Sequence, residues 1–130
     1  MLVVDASLVV NACLAEDGFT PFREESLVAP PLLWSEVASV LHEMRWRSAI
    51  SAELAELAVR RLDESNIESR RPAELRREAW RVADQLGWAR TYDAEYVALA
   101  KLAGCRLMTI DARLRRGAGH VVQIVGPTEV

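Results

Sequence analysis

Two short apolar runs near opposite ends of the sequence, Leu2-Val3-Val4-Asp5 and Leu107-Met108-Thr109-Ile110-Asp111, each deliver an aspartate at the carboxyl end. Both are apolar at consecutive rather than alternate positions, as a short strand covered on both faces must be, and strands of that kind belong to parallel sheets. In open parallel sheets the ligand crevice lies outside the carboxyl ends of the strands. Asp5 and Asp111 are therefore expected at one crevice, although most of the chain separates them.

The intervening sequence supplies the helices that such a sheet needs. Ser7 stands where an N-cap is expected for a buried helix over Leu8–Ala15, and Glu16 to Ser26, with Asp17-Gly18 and Pro21, predicts a loop holding a short helix. Leu27-Val28-Ala29 predicts a second strand, stopped by Pro30-Pro31. From Leu32 to about Arg47, the residues Leu33, Val37, Val40, Leu41 and Met44 recur at steps of three and four, the pattern of an amphipathic helix. Ser51 predicts the cap of another, with Leu54, Leu57, Ala58 and Leu62 facing inward up to Asp63-Glu64. A third amphipathic helix is expected from Pro72 to Leu86, stopped by Gly87, and a fourth from Thr91 or Tyr92 to Leu102, stopped by Gly104. Arg106–Asp111 and Val121–Val125 predict the remaining strands. Strands alternate with helices through short connections, so the chain predicts one α/β domain with a small parallel sheet between helices.

Two more acids fall where this architecture points them at the same edge. Glu36 lies near the start of the helix after Pro30-Pro31, and Asp93 lies in the first turn of Thr91-Tyr92-Asp93-Ala94-Glu95-Tyr96. Each alone has an ordinary explanation, as a cap, a turn residue or a solvated surface acid. Together, four ionised carboxylates in one crevice repel one another unless a cation sits among them or some are protonated, and a divalent ion is the economical answer. Oxygen ligands without a suitably placed His or Cys favour Mg²⁺ or Mn²⁺, ions that position and activate water for attack on a phosphodiester. Ser7 and Thr109, each two residues from an Asp, are placed to orient a ligand or its water.

Composition narrows the possibilities further. A formal charge of −3 argues against a protein that coats nucleic acid indiscriminately, yet setting aside four acids as a metal site reverses its sign and leaves an arginine-rich surface around one negative pocket. Of the arginines, Arg113, Arg115 and Arg116 directly follow Asp111 and are candidates for gripping phosphates. Cys13 and Cys105 show no Cys-x-x-Cys spacing and are expected as small buried hydrophobes. The four tryptophans are scattered along helices, a placement that suits packing in the core or against a partner. No apolar run approaches the about 20 residues of a membrane span, and the start Met-Leu-Val-Val-Asp lacks the basic and apolar regions of an export signal, so a cytoplasmic location is expected. A receiver-like phosphotransfer domain is disfavoured, because the sole lysine, Lys101, falls on a predicted helix.

With these residues in view, the chain resembles the PIN-domain ribonucleases, and among them the short VapC-type toxins of toxin–antitoxin pairs. The matching segments are Val3-Val4-Asp5-Ala6-Ser7, Trp34-Ser35-Glu36-Val37, Thr91-Tyr92-Asp93-Ala94-Glu95-Tyr96-Val97-Ala98-Leu99-Ala100 and Met108-Thr109-Ile110-Asp111, in family order and spacing. The resemblance implies a single PIN domain over residues 1–130, folded as a three-layer α/β sandwich. It implies that Asp5, Glu36, Asp93 and Asp111 form the acidic metal site, with Ser7 and Thr109 at neighbouring polar positions. It also implies metal-dependent hydrolysis of single-stranded or loop RNA without a covalent intermediate, a homodimer, and inhibition by a cognate antitoxin. Arg113 stands where some members carry a further Asp. A PIN scaffold that only binds RNA or protein is the alternative.

Overall fold

The opening run folds as β1, Leu2–Val4, and takes the centre of a five-stranded sheet in a computed structural model that describes residues 1–130. The other strands are β2 (Leu27–Ala29), β3 (Glu68–Ser69), β4 (Arg106–Met108) and β5 (Ile124–Val125), in the spatial order β3-β2-β1-β4-β5. Every neighbouring pair is parallel, with Leu2 opposite Leu27 on one side and Arg106 on the other. Leu2, Val3, Val4 and Val28 have no exposed surface. Side chains of this size each contribute about 1.5–3 kcal/mol when fully buried, which is why consecutive rather than alternate apolar residues are needed here.

The helices are α1 (Ala6–Leu14), α2 (Leu32–Trp46), α3 (Ala52–Glu64), α4 (Leu75–Leu86), α5 (Tyr92–Ala103) and α6 (Ala112–Ala118), with a 3₁₀ turn over Thr20–Phe22. They cover the sheet to give the three-layer sandwich: α1, α2 and α3 pack on one another, while α4 packs along α5, which lies against β1 and β4. One continuous core of 32 buried residues runs through both layers, so no second core competes with it. Helix ends obey local chemistry. The Ser51 side chain accepts from the Leu54 amide and caps α3, and Gly87 and Gly104 end α4 and α5 in left-handed conformations that only glycine adopts without strain.

Several boundaries differ from the expectations above. The N-cap of α1 is Asp5 rather than Ser7: the backbone turns helical at Ala6, and the Asp5 carboxylate accepts from the Leu8 amide. Pro72 opens a turn, accepting from the Leu75 amide, and α4 begins only at Leu75. The strand expected over Arg106–Asp111 ends at Met108, and the one expected over Val121–Val125 contributes only Ile124 and Val125. Two elements were not foreseen. β3 is a pair of exposed residues recruited by backbone pairing with Val28 and Ala29, and α6 is a short helix started by Asp111.

Candidate active site

Both strand-end aspartates sit at a strand-to-helix junction and cap the helix that follows. Asp5 closes β1 and caps α1, and Asp111 caps α6, accepting from the amides of Arg113 and Leu114 at 2.9 and 3.4 Å. A helix N-terminus favours negative charge, and the capping bonds hold each carboxylate in a fixed direction.

Thr109 ties the two junctions together. Its hydroxyl donates to Asp5 Oδ2 and accepts from the Asp111 amide at 2.9 Å. Ser7 Oγ donates to the same carboxylate, 2.9 Å from Oδ1, and lies 3.2 Å from Thr109 Oγ1. The two polar residues singled out in the sequence therefore serve the Asp5 side chain itself. Burial raises the Asp5 pKa above the usual carboxylate value; the Thr109, Leu8 and Ser7 hydrogen bonds pull it back, and Asp111 pushes it up again.

Glu36, half-buried on α2, reaches across to α5, where the Tyr96 hydroxyl donates to its Oε1 at 2.6 Å. Its pKa is also raised, first by desolvation and further by Asp93, Asp5 and Glu95, against the lowering effect of the Tyr96 bond. Asp93, in the first turn of α5, is raised by desolvation and by Asp111, with Arg113 opposing. The four sequence-predicted acids thus act on one another's charge, as residues around a common crevice must. Arg113 Nε lies 3.7 Å from Asp111 Oδ1, and no ion pair forms at Asp5, Glu36 or Asp93.

The crevice is a cavity of about 570 Å³ whose walls include Glu36, Asp93, Asp111 and Arg113. Asp5 is not among the lining residues; it is buried at 5% exposure and connects to the Asp111 junction through Thr109. The carboxylates are not drawn into a ready-made cluster of three or more ligands. The donor set still fits a hard divalent cation: the acidic donors are carboxylate oxygens, the two arginines of the lining, Arg90 and Arg113, form no ion pair with Glu36 or Asp93, and neither cysteine nor histidine lines the space.

Of the three arginines named from sequence, Arg113 lines the crevice. Arg115 is turned to the Glu129 carboxylate in a two-point contact of 2.5 and 2.7 Å, and Arg116 is not among the lining residues. Four residues at the site escaped the sequence reading. In the sequence Tyr96 stands out only as one residue of the Thr91–Ala100 segment, although a tyrosine whose ring is buried needs a partner for its hydroxyl. Trp88, Arg90 and Tyr92, from the α4–α5 connection and the first residue of α5, form the crevice's remaining aromatic and basic wall.

Comparison with known proteins identifies the family and the fold. Residues 2–119 match the PIN domain family. The chain is 34% identical over 116 residues to the VapC ribonuclease Mb0985 of Mycobacterium bovis, covering 88% of each protein, and equally so to the ribonuclease VapC9 of Mycobacterium tuberculosis. The crystal structure of PAE2754 from Pyrobaculum aerophilum superposes with a TM-score of 0.73 at 24% identity, over 98% of this chain and 91% of that one, a likeness of fold.

Proposed function

The chain belongs to the PIN-domain family, among relatives of the VapC ribonucleases, and from that premise we propose that it is an endoribonuclease toxin that hydrolyses RNA phosphodiester bonds with a divalent cation, Mg²⁺ or Mn²⁺. One observation supports this reading above the others: Glu36, Asp93 and Asp111 line one crevice, and Asp5, at the carboxyl end of β1, is tied to the Asp111 junction through the Thr109 hydroxyl. Asp5, Asp93 and Asp111, with Glu36, are the residues that would hold the cation, which when bound supplies charge neutralisation and water activation.

The chain's own residues do the positioning. Ser7 and Thr109 lock the Asp5 carboxylate, and Thr109 fixes its distance from the Asp111 junction. Tyr96 holds one oxygen of Glu36, leaving the other free to orient a water in line with the phosphorus and to accept its proton. No side chain is required as a nucleophile. Arg113 grips a phosphate oxygen at the crevice rim. Arg115 and Arg116 are proposed to add charge that attracts the RNA from outside the crevice.

In this reading residues 1–130 act as a single domain, the active form is a homodimer, and a cognate antitoxin protein controls it in the cytoplasm. No helix is long and apolar enough to cross a membrane.

Asp5→Asn is the decisive variant because asparagine caps a helix about as well as aspartate. It removes the charge while sparing the fold. The purified chain, given Mg²⁺ or Mn²⁺ and a structured RNA, should cut it, and Asp5→Asn should not. Equal cleavage by both would end the proposal. Carboxylate-dependent metal binding in calorimetry separates it from a scaffold that only binds, which should show none.

A further inference from the structure

The acid crevice has a neighbour on the other side of the first turn of α5. Tyr92 and Asp93 face the crevice, whereas Thr91 and Glu95 face a second cavity of about 390 Å³. Pro31 and Arg71, which also line it, closely follow the carboxyl ends of β2 and β3. Since β2 and β3 continue the sheet outward from β1, the two cavities stand side by side along one edge.

Three features of this second cavity have no role in the fold. The indole of Trp80, on α4, is 66% exposed, although burying it would be worth as much as burying a core side chain. Arg71 and Arg76 are exposed and hold no acid at ion-pair distance, whereas Arg70 and, on α4, Arg81 are paired with Glu68 and Glu78. Glu95 is half-buried between them, within the reach of both charges, without an ion pair or hydrogen bond closing on it. An aromatic face, two free guanidinium groups and one carboxylate acceptor therefore surround a space that opens beside the hydrolytic crevice.

Those groups match a nucleotide. Aromatic faces stack on bases in single-strand binders, guanidinium groups hold phosphates, and side-chain acceptors read the Watson–Crick edge of an unpaired base. We propose that this cavity is a base-reading subsite for the strand held in the crevice, with Trp80 stacking on the base, Arg71 and Arg76 holding its phosphate, and Glu95 accepting from its edge. The proposal rests on the ribonuclease reading. Guanine is the matching base, because among the four it alone offers a carboxylate two adjacent N–H donors. The surplus of positive charge favours a phosphate chain over a second copy of this face, which would set the arginines against each other.

The test is fluorescence anisotropy with ten-residue uridine strands, unsubstituted or carrying one guanosine, in chelator so that they are not cut. The wild-type chain should prefer the guanosine-bearing strand. Trp80→Ala should weaken binding about 5- to 150-fold, with Trp80→Phe restoring most of it. Glu95→Gln should abolish the preference while leaving affinity for plain uridine strands. With Mg²⁺ added, a wild-type chain that cuts RNA while Trp80→Ala binds and cuts equally well overturns the subsite and leaves the ribonuclease reading standing. A folded wild-type chain that neither binds nor cuts overturns both. If sedimentation shows that Trp80→Ala dissociates a dimer, the face is an interface between copies, and the subsite is equally overturned.

Discussion

Asp5 and Glu78 are both almost fully withdrawn from water, at 5% and 6% exposure, and they keep opposite electrostatic company. Glu78, on α4, has Lys101 of α5 at 2.7 Å and Arg81 at 2.7 Å, and its pKa is lowered, above all by the Lys101 contact. Asp5 has two hydroxyls, one amide and other acids, and its pKa is raised by burial. The sole lysine of the chain thus ties the outer helix pair together, and neither Asp5, Glu36 nor Asp93 receives a cationic partner. Burial alone does not distinguish a structural acid from a functional one. The neighbours differ: Glu78 is neutralised by the fold, whereas Asp5, Glu36 and Asp93 form no ion pair, the setting in which the proposed cation would be held.

The sharpest way to break the comparison is to remove a charge at each place and read cleavage. Asp93→Asn takes away one proposed metal ligand, and its cleavage rate should fall by about a thousandfold, equivalent to about 4 kcal/mol of transition-state stabilisation. Glu78→Gln should leave the rate per folded molecule within about twofold of wild type. If the two variants lose activity alike, the distinction between the two settings has no functional meaning.

Stability should rank them in the reverse order. Glu78→Gln leaves Lys101 and Arg81 facing a neutral amide and should cost about 1–2 kcal/mol in urea unfolding. That is below the about 3–5 kcal/mol of a fully buried pair, because the two cationic side chains are 48% and 65% exposed. Asp93→Asn removes a repelled charge from the crevice and should leave the metal-free protein as stable as wild type, or slightly more so. A Glu78→Gln protein that unfolds at the wild-type urea midpoint would show the pair to be ornamental.

The same contrast explains what the amino-acid sequence disclosed and what it withheld. Strand-end acids are easy to read because the apolar run before them and the helix after them fix their direction; Asp5, Asp111 and the first turn of α5 were placed on those grounds, and helices α2 to α5 by their periodicity. β3 carries no such mark, since Glu68 and Ser69 are exposed and join the sheet through backbone groups alone. α6 holds only Ala112–Ala118, too short for periodicity to register, and its one clue was Asp111 as a cap. Ser7 reads as the cap in place of Asp5 because the apolar run carries the expected strand through Asp5, one residue past its end at Val4. The Tyr96–Glu36 bond joins residues 60 positions apart through a hydroxyl, and the partnering of Glu78 with Lys101 needs the packing of α4 on α5 to be known first. Trp80 reads as a packing residue because tryptophans usually are, and only the position of α4 turns it outward.

The smallest effect is a difference in the sign of the pH dependence, measured without metal. Glu78 has a lowered pKa when folded, so it stabilises the protein above the ordinary glutamate value of 4.5 and loses that contribution as pH falls through its folded value. Asp93 has a raised pKa when folded. It is neutral in both states below the ordinary aspartate value of 3.8, and it opposes folding increasingly as pH rises from there through its folded value. The stability gap between wild type and Glu78→Gln should therefore close on acidification from neutrality. The gap between Asp93→Asn and wild type should also close on acidification, but with the variant as the more stable protein at neutral pH. Melting temperatures from pH 3 to 7 for the three proteins would sharpen the comparison to a few tenths of a kcal/mol, on the order expected for a partly exposed charge. Gaps of the same sign for both variants would mean that the crevice acids, like Glu78, are neutralised by the fold itself.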